Sequence, residues 1–275
     1  MKLLIIAQLG FKKIWKIALD YVSALAACLY LLTFGLLSQK HREFMGNIRH
    51  AVFPRKGETL QPMIPKIGQE RVLDSGSSVV LKGLQFENGN ITLTELTIIA
   101  NLTKSLRPKS VFEFGTFNGR TTLNLMANAP EGSVIYTLDL PGKMVNKTAL
   151  EVEAGDKLFI AKSESGERFK KESMAGRQIT QLYGDSASFD FSPYYNSIDF
   201  VFVDAAHSYE YVRNDSRVAL KLLRNGKGII LWHDYDKLEY WPGLLKALNE
   251  LFISDPAFKD LKHIDGTSLV YLRKI

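Results

Sequence analysis

Hydrophobic positions along this chain fall into distinct regimes. Leu4, Ala7, Phe11, Ile14 and Ala18 recur at helical spacing with Lys12, Lys13 and Lys16 between them, the pattern of a helix lying on a membrane interface. Residues 21–39 then carry no charge and are bounded by Asp20, Lys40 and Arg42, a run just long enough to span a bilayer. No small-residue cleavage pattern follows, which makes a removable signal peptide the weaker reading. Pro54, Pro62 and Pro65 mark residues 50–68 as linker. Residues 79–84 read as a short strand, and residues 93–106 as a helix capped by Thr92. From there the rhythm is regular. Apolar runs at 110–114, 134–138, 179–183, 198–203 and 228–232 alternate with helix-like segments, and 268–272 adds a last strand. The class is α/β, a doubly wound and mainly parallel sheet with helices on both faces and an N-terminal helical extension. Three regions follow: an apolar and basic helical segment over 1–45, linker and accessory chain over 46–89, and a ligand-binding domain over 90–275.

Composition narrows this picture. With 46% hydrophobic and 23% charged residues, disorder is not the default. The net charge of +6 is concentrated: residues 1–60 hold nine Lys/Arg against three acids, and the remainder holds 26 of each. A nucleic-acid enzyme is expected to carry a basic stripe beside its active site, so a nucleic-acid partner is not expected. The excess around an apolar segment points instead to a membrane surface, with residues 1–40 as anchor. The competing reading packs the same residues onto the domain or onto a second copy in a homodimer. Cys28 is the single cysteine, which excludes a disulfide framework and a thiolate metal cluster and suits a reducing compartment.

In such sheets ligands bind beyond the carboxyl ends of the strands. The first strand ends in EFGTFNGRTT, residues 113–122, where Gly115 and Gly119 flank a tight turn and let backbone approach a ligand. The dinucleotide fingerprint needs a third glycine and is absent. An acid, Glu113, precedes the turn, as a ligand with a cationic amino-acid part requires. The second strand ends at Asp139 in YTLDLPG, a carboxylate placed to accept hydrogen bonds from both hydroxyls of a ribose. The third ends in YGDSA, which offers Asp185 and Ser186.

This ordered set resembles class I S-adenosylmethionine-dependent methyltransferases with a Rossmann-like fold. DAAHSYEYVRND at 204–215 and WHDY at 232–235 resemble the methyltransferase domain 24 subgroup, and the likeness covers about residues 90–275. It implies S-adenosylmethionine as cofactor, lined by Glu113, Gly115, Thr116, Asn118, Gly119, Asp139, Asp185, Ser186 and Asp204. It also implies an enzyme facing the cytosol, where that cofactor is made.

Methyl transfer is an in-line displacement, so the protein mainly aligns the reactants and removes a proton. Asp204 and Asp234 end neighbouring strands, with His207 and His233 close by in sequence. Two uses stay open. Asp204 and Asp234 bind Mg²⁺ or another divalent cation that activates a hydroxyl, or His207 takes the proton itself with an imidazole pKa of about 6.5. Cation-dependent O-methyltransferases, which this chain resembles here, follow the second acid with Asn. Tyr235 stands there instead, so a third ligand is missing or comes from elsewhere. Structural roles compete with both uses, Asp204 as a helix cap and His233 under the sheet.

Trp232, Tyr240 and Trp241 read as strand core and helix start. Lys162, Glu164, Glu167, Arg168, Lys170, Lys171 and Glu172 read as a solvated helix, although the connection 142–181 is long enough to act as a lid. The expected activity is O-methylation of a small molecule, a sugar or a lipid-linked glycan. N-methylation, or a nonenzymatic assembly or sensing role, are the alternatives.

Overall fold

The computed structural model describes residues 2–38, 41, 60–170, 172, 176, 178–238 and 240–275. Two compact units are present, Met1–Thr59 and Leu60–Ile275. In the first, helix α1 spans Lys2–Leu32 and a 3-10 turn follows over Phe34–Leu37. The charge-free run is therefore split: α1 ends at Leu32, and its earlier turns carry Lys12, Lys13, Lys16 and Asp20. Among the described residues no helix is long and apolar enough to cross a membrane. Trp15, Leu19, Val22, Leu25, Leu29 and Leu32 are all exposed. An apolar surface of this kind ordinarily has a cover, either lipid or protein.

The second unit is built on one eight-stranded sheet. In chain order its strands are β1 (Lys66–Ile67), β2 (Ser110–Phe114), β3 (Val134–Asp139), β4 (Gln178–Tyr183), β5 (Phe200–Val203), β6 (Gly228–Trp232), β7 (Lys262–Ile264) and β8 (Val270–Lys274). Across the sheet they run β1-β7-β8-β6-β5-β2-β3-β4. The strands from β4 to β6 are all parallel, whereas β8 is antiparallel to both β6 and β7. The expected mainly parallel, doubly wound sheet is what the chain forms.

The helices are α2 (Leu93–Leu106), α3 (Arg120–Asn128), α4 (Ala154–Ile160), α5 (Glu167–Lys170), α6 (Tyr209–Leu222) and α7 (Pro242–Ser254). Successive side chains of the central strands feed two cores. Phe112, Phe114, Val201 and Ile230 pack with Leu222, Leu245 and Leu248 on one face. Val111, Phe200, Phe202 and Leu231 pack with Leu96, Ile99 and Leu125 on the other. Burial on both faces explains why these strands are unbroken apolar runs and not alternating ones. Helix α2 starts where expected, through a reciprocal box: Glu95 N–H donates to Thr92 Oγ1 and Thr92 N–H donates to Glu95 Oε2.

Residues 60–89 differ from the expectation of a linker; 46–59 lie outside the described residues. Strand β1 pairs with β7 at the sheet edge. The N–H groups of Met63 and Ile64 donate to the buried hydroxyl of Tyr235, at 2.8 and 3.0 Å. Residues 79–84 form no strand, yet alternate residues of their backbone are bound by side chains. Asn128 exchanges two hydrogen bonds with Val80, Asn124 exchanges two with Lys82, and Arg120 donates to the carbonyls of Gly83 and Ile91. Positions 120, 124 and 128 form one stripe along α3, and this polar stripe takes the place of a neighbouring strand.

Candidate active site

One cavity of about 380 Å³ opens at the carboxyl ends of β2, β3, β5 and β6. Its wall includes Gly115, Thr116, Asn118, Asp139, Asp185, Ser186, Asp204, His207 and Asp234, so most of the expected residues converge. Glu113 and Gly119 are not on that wall. Glu113 is fully buried behind the turn, where Thr122 and Thr137 donate to its Oε2. Since Thr137 spends its proton there, Thr116 must donate to Thr137 (2.7 Å), and Gln181 Nε2 donates to Thr116. Glu113 thus organises the turn from behind the cavity wall. Gly119, at φ 82°, caps α3, and a Cβ there would meet the Phe169 ring at 2.5 Å and Gly166 Cα at 2.8 Å. Its freedom serves the docking of the chain around α5.

Burial pushes the Glu113 carboxyl up to about 8, against the pull of its two threonine donors. The folded state therefore holds a proton that the unfolded chain releases near 4.5. This contribution is fully present below the unfolded value and is lost as pH rises through about 8. Glu113→Gln is expected to match the parent at pH 5 and to exceed it at pH 9 by on the order of 2–4 kcal/mol. Denaturant unfolding at the two pH values reads this; a parent that gains on the variant with rising pH would refute the protonated carboxyl.

Asp139 presents its carboxylate at the end of β3, with Lys162 Nζ 2.8 Å from Oδ2 in an ion pair. That oxygen is buried against the ammonium, so a ribose hydroxyl would share the carboxylate with Lys162. Asp185 is more committed, accepting from the N–H groups of Ala149 and Ala187 and from the Tyr211 hydroxyl. Ser186 donates to buried Asp215, whose carboxyl burial raises to about 7.

The opposite end of the cavity holds a charge cluster. Asp204, His207 and Asp234 each offer one ligand atom, all within 4.8 Å of one another. His207 Nδ1 lies 2.5 Å from Asp156 Oδ1, and Nε2 lies 3.1 Å from Asp234 Oδ2. His233 Nδ1 faces Asp204 Oδ1 at 3.1 Å and Asp234 Oδ2 at 3.2 Å, with Nε2 3.3 Å from Glu95 Oε2. Burial works against charge on both rings, but the carboxylates prevail: His207 is pushed up to about 10 by Asp156 and Asp234, and His233 is also held well above the ordinary value. Both rings are thus held toward the charged form, and a cation taken by His207 Nε2 would have to displace its proton. Asp234 is buried, which opposes ionisation, yet the His233 charge holds its carboxyl well below the usual range. Its backbone sits at φ 64°, an uncommon conformation for a non-glycine residue and one found at functional sites.

Asp204 does not cap the following helix; Ser208 does. Tyr235 is turned away from the cluster, its hydroxyl donating to Asn249 Oδ1 at 2.5 Å, so it offers no atom beside Asp204, His207 and Asp234. Trp232 is core, its indole N–H donating to Ser216. Trp241 and Tyr240 line the cavity, and Trp241 stacks on His207 with centroids 4.0 Å apart. The stretch after residue 161 is not a merely solvated helix either. Lys162 pairs with Asp139, and Arg168 binds Glu87 and the carbonyls of Gly83 and Gln85; Lys171 lies outside the described residues. Glu95 and Asp156, neither singled out by sequence, complete the cluster.

The sequence profile of a methyltransferase-domain family matches residues 112–235, from β2 to Tyr235. Among solved structures the chain is similar to a methyltransferase of Podospora anserina bound to S-adenosylhomocysteine (SAH), at 17% identity and a TM-score of 0.51, over 73% of this chain and 91% of that one. It is also similar to an O-methyltransferase of Bacillus cereus in complex with SAH, at 15% identity and a TM-score of 0.43, over 82% and 96% of the two chains. A third is the O-methyltransferase TomG of Streptomyces achromogenes in complex with SAM, at 12% identity and a TM-score of 0.44, over 84% and 96%. No curated protein matches the chain. Residues 112–235, just under half of the chain, thus match the methyltransferase-domain family, and the fold agrees with a class I S-adenosylmethionine-dependent methyltransferase.

Proposed function

We propose that the protein methylates a hydroxyl of a small-molecule or glycan acceptor, with a divalent cation held by Asp204, His207 and Asp234. The observation that carries this reading is the convergence of those three ligand atoms within 4.8 Å on the wall of the cofactor cavity. The charge balance of the cluster agrees. Four carboxylates, Glu95, Asp156, Asp204 and Asp234, contact two imidazoles, so the cluster stays negative even with both rings protonated. Excess negative charge in a partly buried cleft favours a cation.

S-adenosylmethionine supplies a methyl group already activated on a sulfonium. The chain has the groups to hold it: the Asp139 carboxylate for the ribose, the backbone at Gly115, and Thr116 and Asn118 beside it. At the other end, Asp204 and Asp234 present carboxylate oxygens to the cavity. A cation on them would lower the pKa of a hydroxyl bound alongside. Trp241 and Tyr240 wall the acceptor side and exclude water from the reacting groups.

Transfer of labelled methyl from S-adenosylmethionine to a panel of hydroxylated acceptors, before and after EDTA treatment, tests this. EDTA is expected to lower transfer by at least about tenfold, restored by divalent cation. Full activity after EDTA would remove the cation, and activity confined to amine acceptors would replace O-methylation by N-methylation.

A further inference from the structure

We infer that this cation site selects a borderline first-row transition ion such as Co²⁺ or Zn²⁺ over Mg²⁺, and that Asp156 is the positioning residue responsible. The inference rests on the cation site proposed above and goes beyond it by naming the class of ion and the residue that sets it.

The ligand set is two carboxylates and one imidazole, Asp204, Asp234 and His207. Mg²⁺ and Ca²⁺ are bound through oxygen, whereas imidazole nitrogen suits transition ions. The selectivity depends on which nitrogen His207 offers, and that is fixed from outside the sheet. Asp156, on α4, grips His207 twice: Oδ2 accepts from the backbone N–H at 3.0 Å, and Oδ1 sits 2.5 Å from Nδ1. With Nδ1–H committed to Asp156, Nε2 is the nitrogen turned toward Asp234. A carboxylate behind a ligating imidazole fixes its tautomer and raises its basicity.

The ring is also held over its face. Trp241 stacks on it at an interplanar angle of 16°, and α4 supports that indole at Gly155, where a Cβ would come within 2.5 Å of the Trp241 ring. Both supports, carboxylate and indole seat, come from the first turn of α4. The connection between β3 and β4 therefore carries the orientation of the third ligand, and Asp156 is 4% exposed with no other evident use.

Titration calorimetry of the full chain with Co²⁺ and with Mg²⁺, accompanied by the visible absorption of bound Co²⁺, tests the inference. The parent is expected to bind Co²⁺ at least about 100-fold more tightly than Mg²⁺. Asp156→Asn is expected to weaken Co²⁺ binding by about 10–100-fold with little change for Mg²⁺ and with SAH affinity unchanged, which certifies the fold. His207→Asn, an oxygen ligand in place of nitrogen, is expected to alter the Co²⁺ spectrum and shrink the preference. No binding of either ion by the parent would overturn the cation site itself. Equal affinities in the parent, or a Co²⁺ affinity untouched by Asp156→Asn, would overturn this inference while leaving the site standing.

Discussion

Gly115→Ala is expected to destabilise the domain by at least about 4 kcal/mol and to lower its melting temperature by about 8–16 °C. Gly115 sits at φ 90°, and a Cβ there would lie 1.9 Å from the carbonyl oxygen of Asp204, 2.7 Å from its carbon and 3.0 Å from Ala205 Cα. The obstacle is backbone, held in place by the Asp204 N–H donating to the Phe114 carbonyl, so no side-chain rotation relieves it. The ends of β2 and β5 would have to separate, and with them Asp204. Gly132→Ala is the control. Its φ is 82° with nothing within 4 Å of the added carbon, which leaves only the backbone cost of about 1–2 kcal/mol. Thermal unfolding of both variants separates the two effects, and equal losses would mean that the close approach at Gly115 has been misjudged.

Asp139→Ala is expected to weaken binding of SAH by about 10²–10⁴-fold. An ionised acceptor serving two hydroxyls loses roughly 1.5–3 kcal/mol for each hydrogen bond removed, and every 1.4 kcal/mol is tenfold in affinity. The carboxylate is 8% exposed and pairs with Lys162. Calorimetric titration measures the change. A loss under threefold would place the ribose elsewhere and detach the cofactor reading from β3.

Some of this was legible in the chain because it follows from strand ends. Asp139, Asp204 and Asp234 each sit at or just past the end of an apolar run, and parallel strands deliver their carboxyl ends to one edge. The start of α2 was legible because Thr92, a residue suited to capping, stands directly before the helical apolar spacing. What escaped was non-local or too short. Asp156 lies 51 residues from His207, and Glu95 lies 138 from His233; no spacing rule joins them, although Asp156 falls inside a connection whose length marked it. Strands β1 and β7, of two and three residues, show no periodicity. Residues 79–84 misled because an extended segment looks the same whether its partner is a strand or a row of asparagines. Tyr235 could be excluded as an amide ligand, but its destination against Met63 and Ile64 could not be read.

That row has a consequence for how the domain tolerates change. Asn124 and Asn128 bind the main chain of Lys82 and Val80, and Arg120 binds main-chain carbonyls; none of these contacts reads a side chain. Val80 is half exposed and Lys82 pairs only with Glu172 at the surface. In the strap from 79 to 83, Val80 and Lys82 can therefore exchange their side chains more freely than Leu81, which packs on the core, or Gly83, at φ 61°, while the two asparagines cannot, since either one replaced by alanine strands a backbone N–H and a carbonyl together. Among relatives that share this arrangement, drift belongs at Val80 and Lys82 and constancy in the helix, and two asparagines four residues apart would identify the strap where its own sequence no longer does.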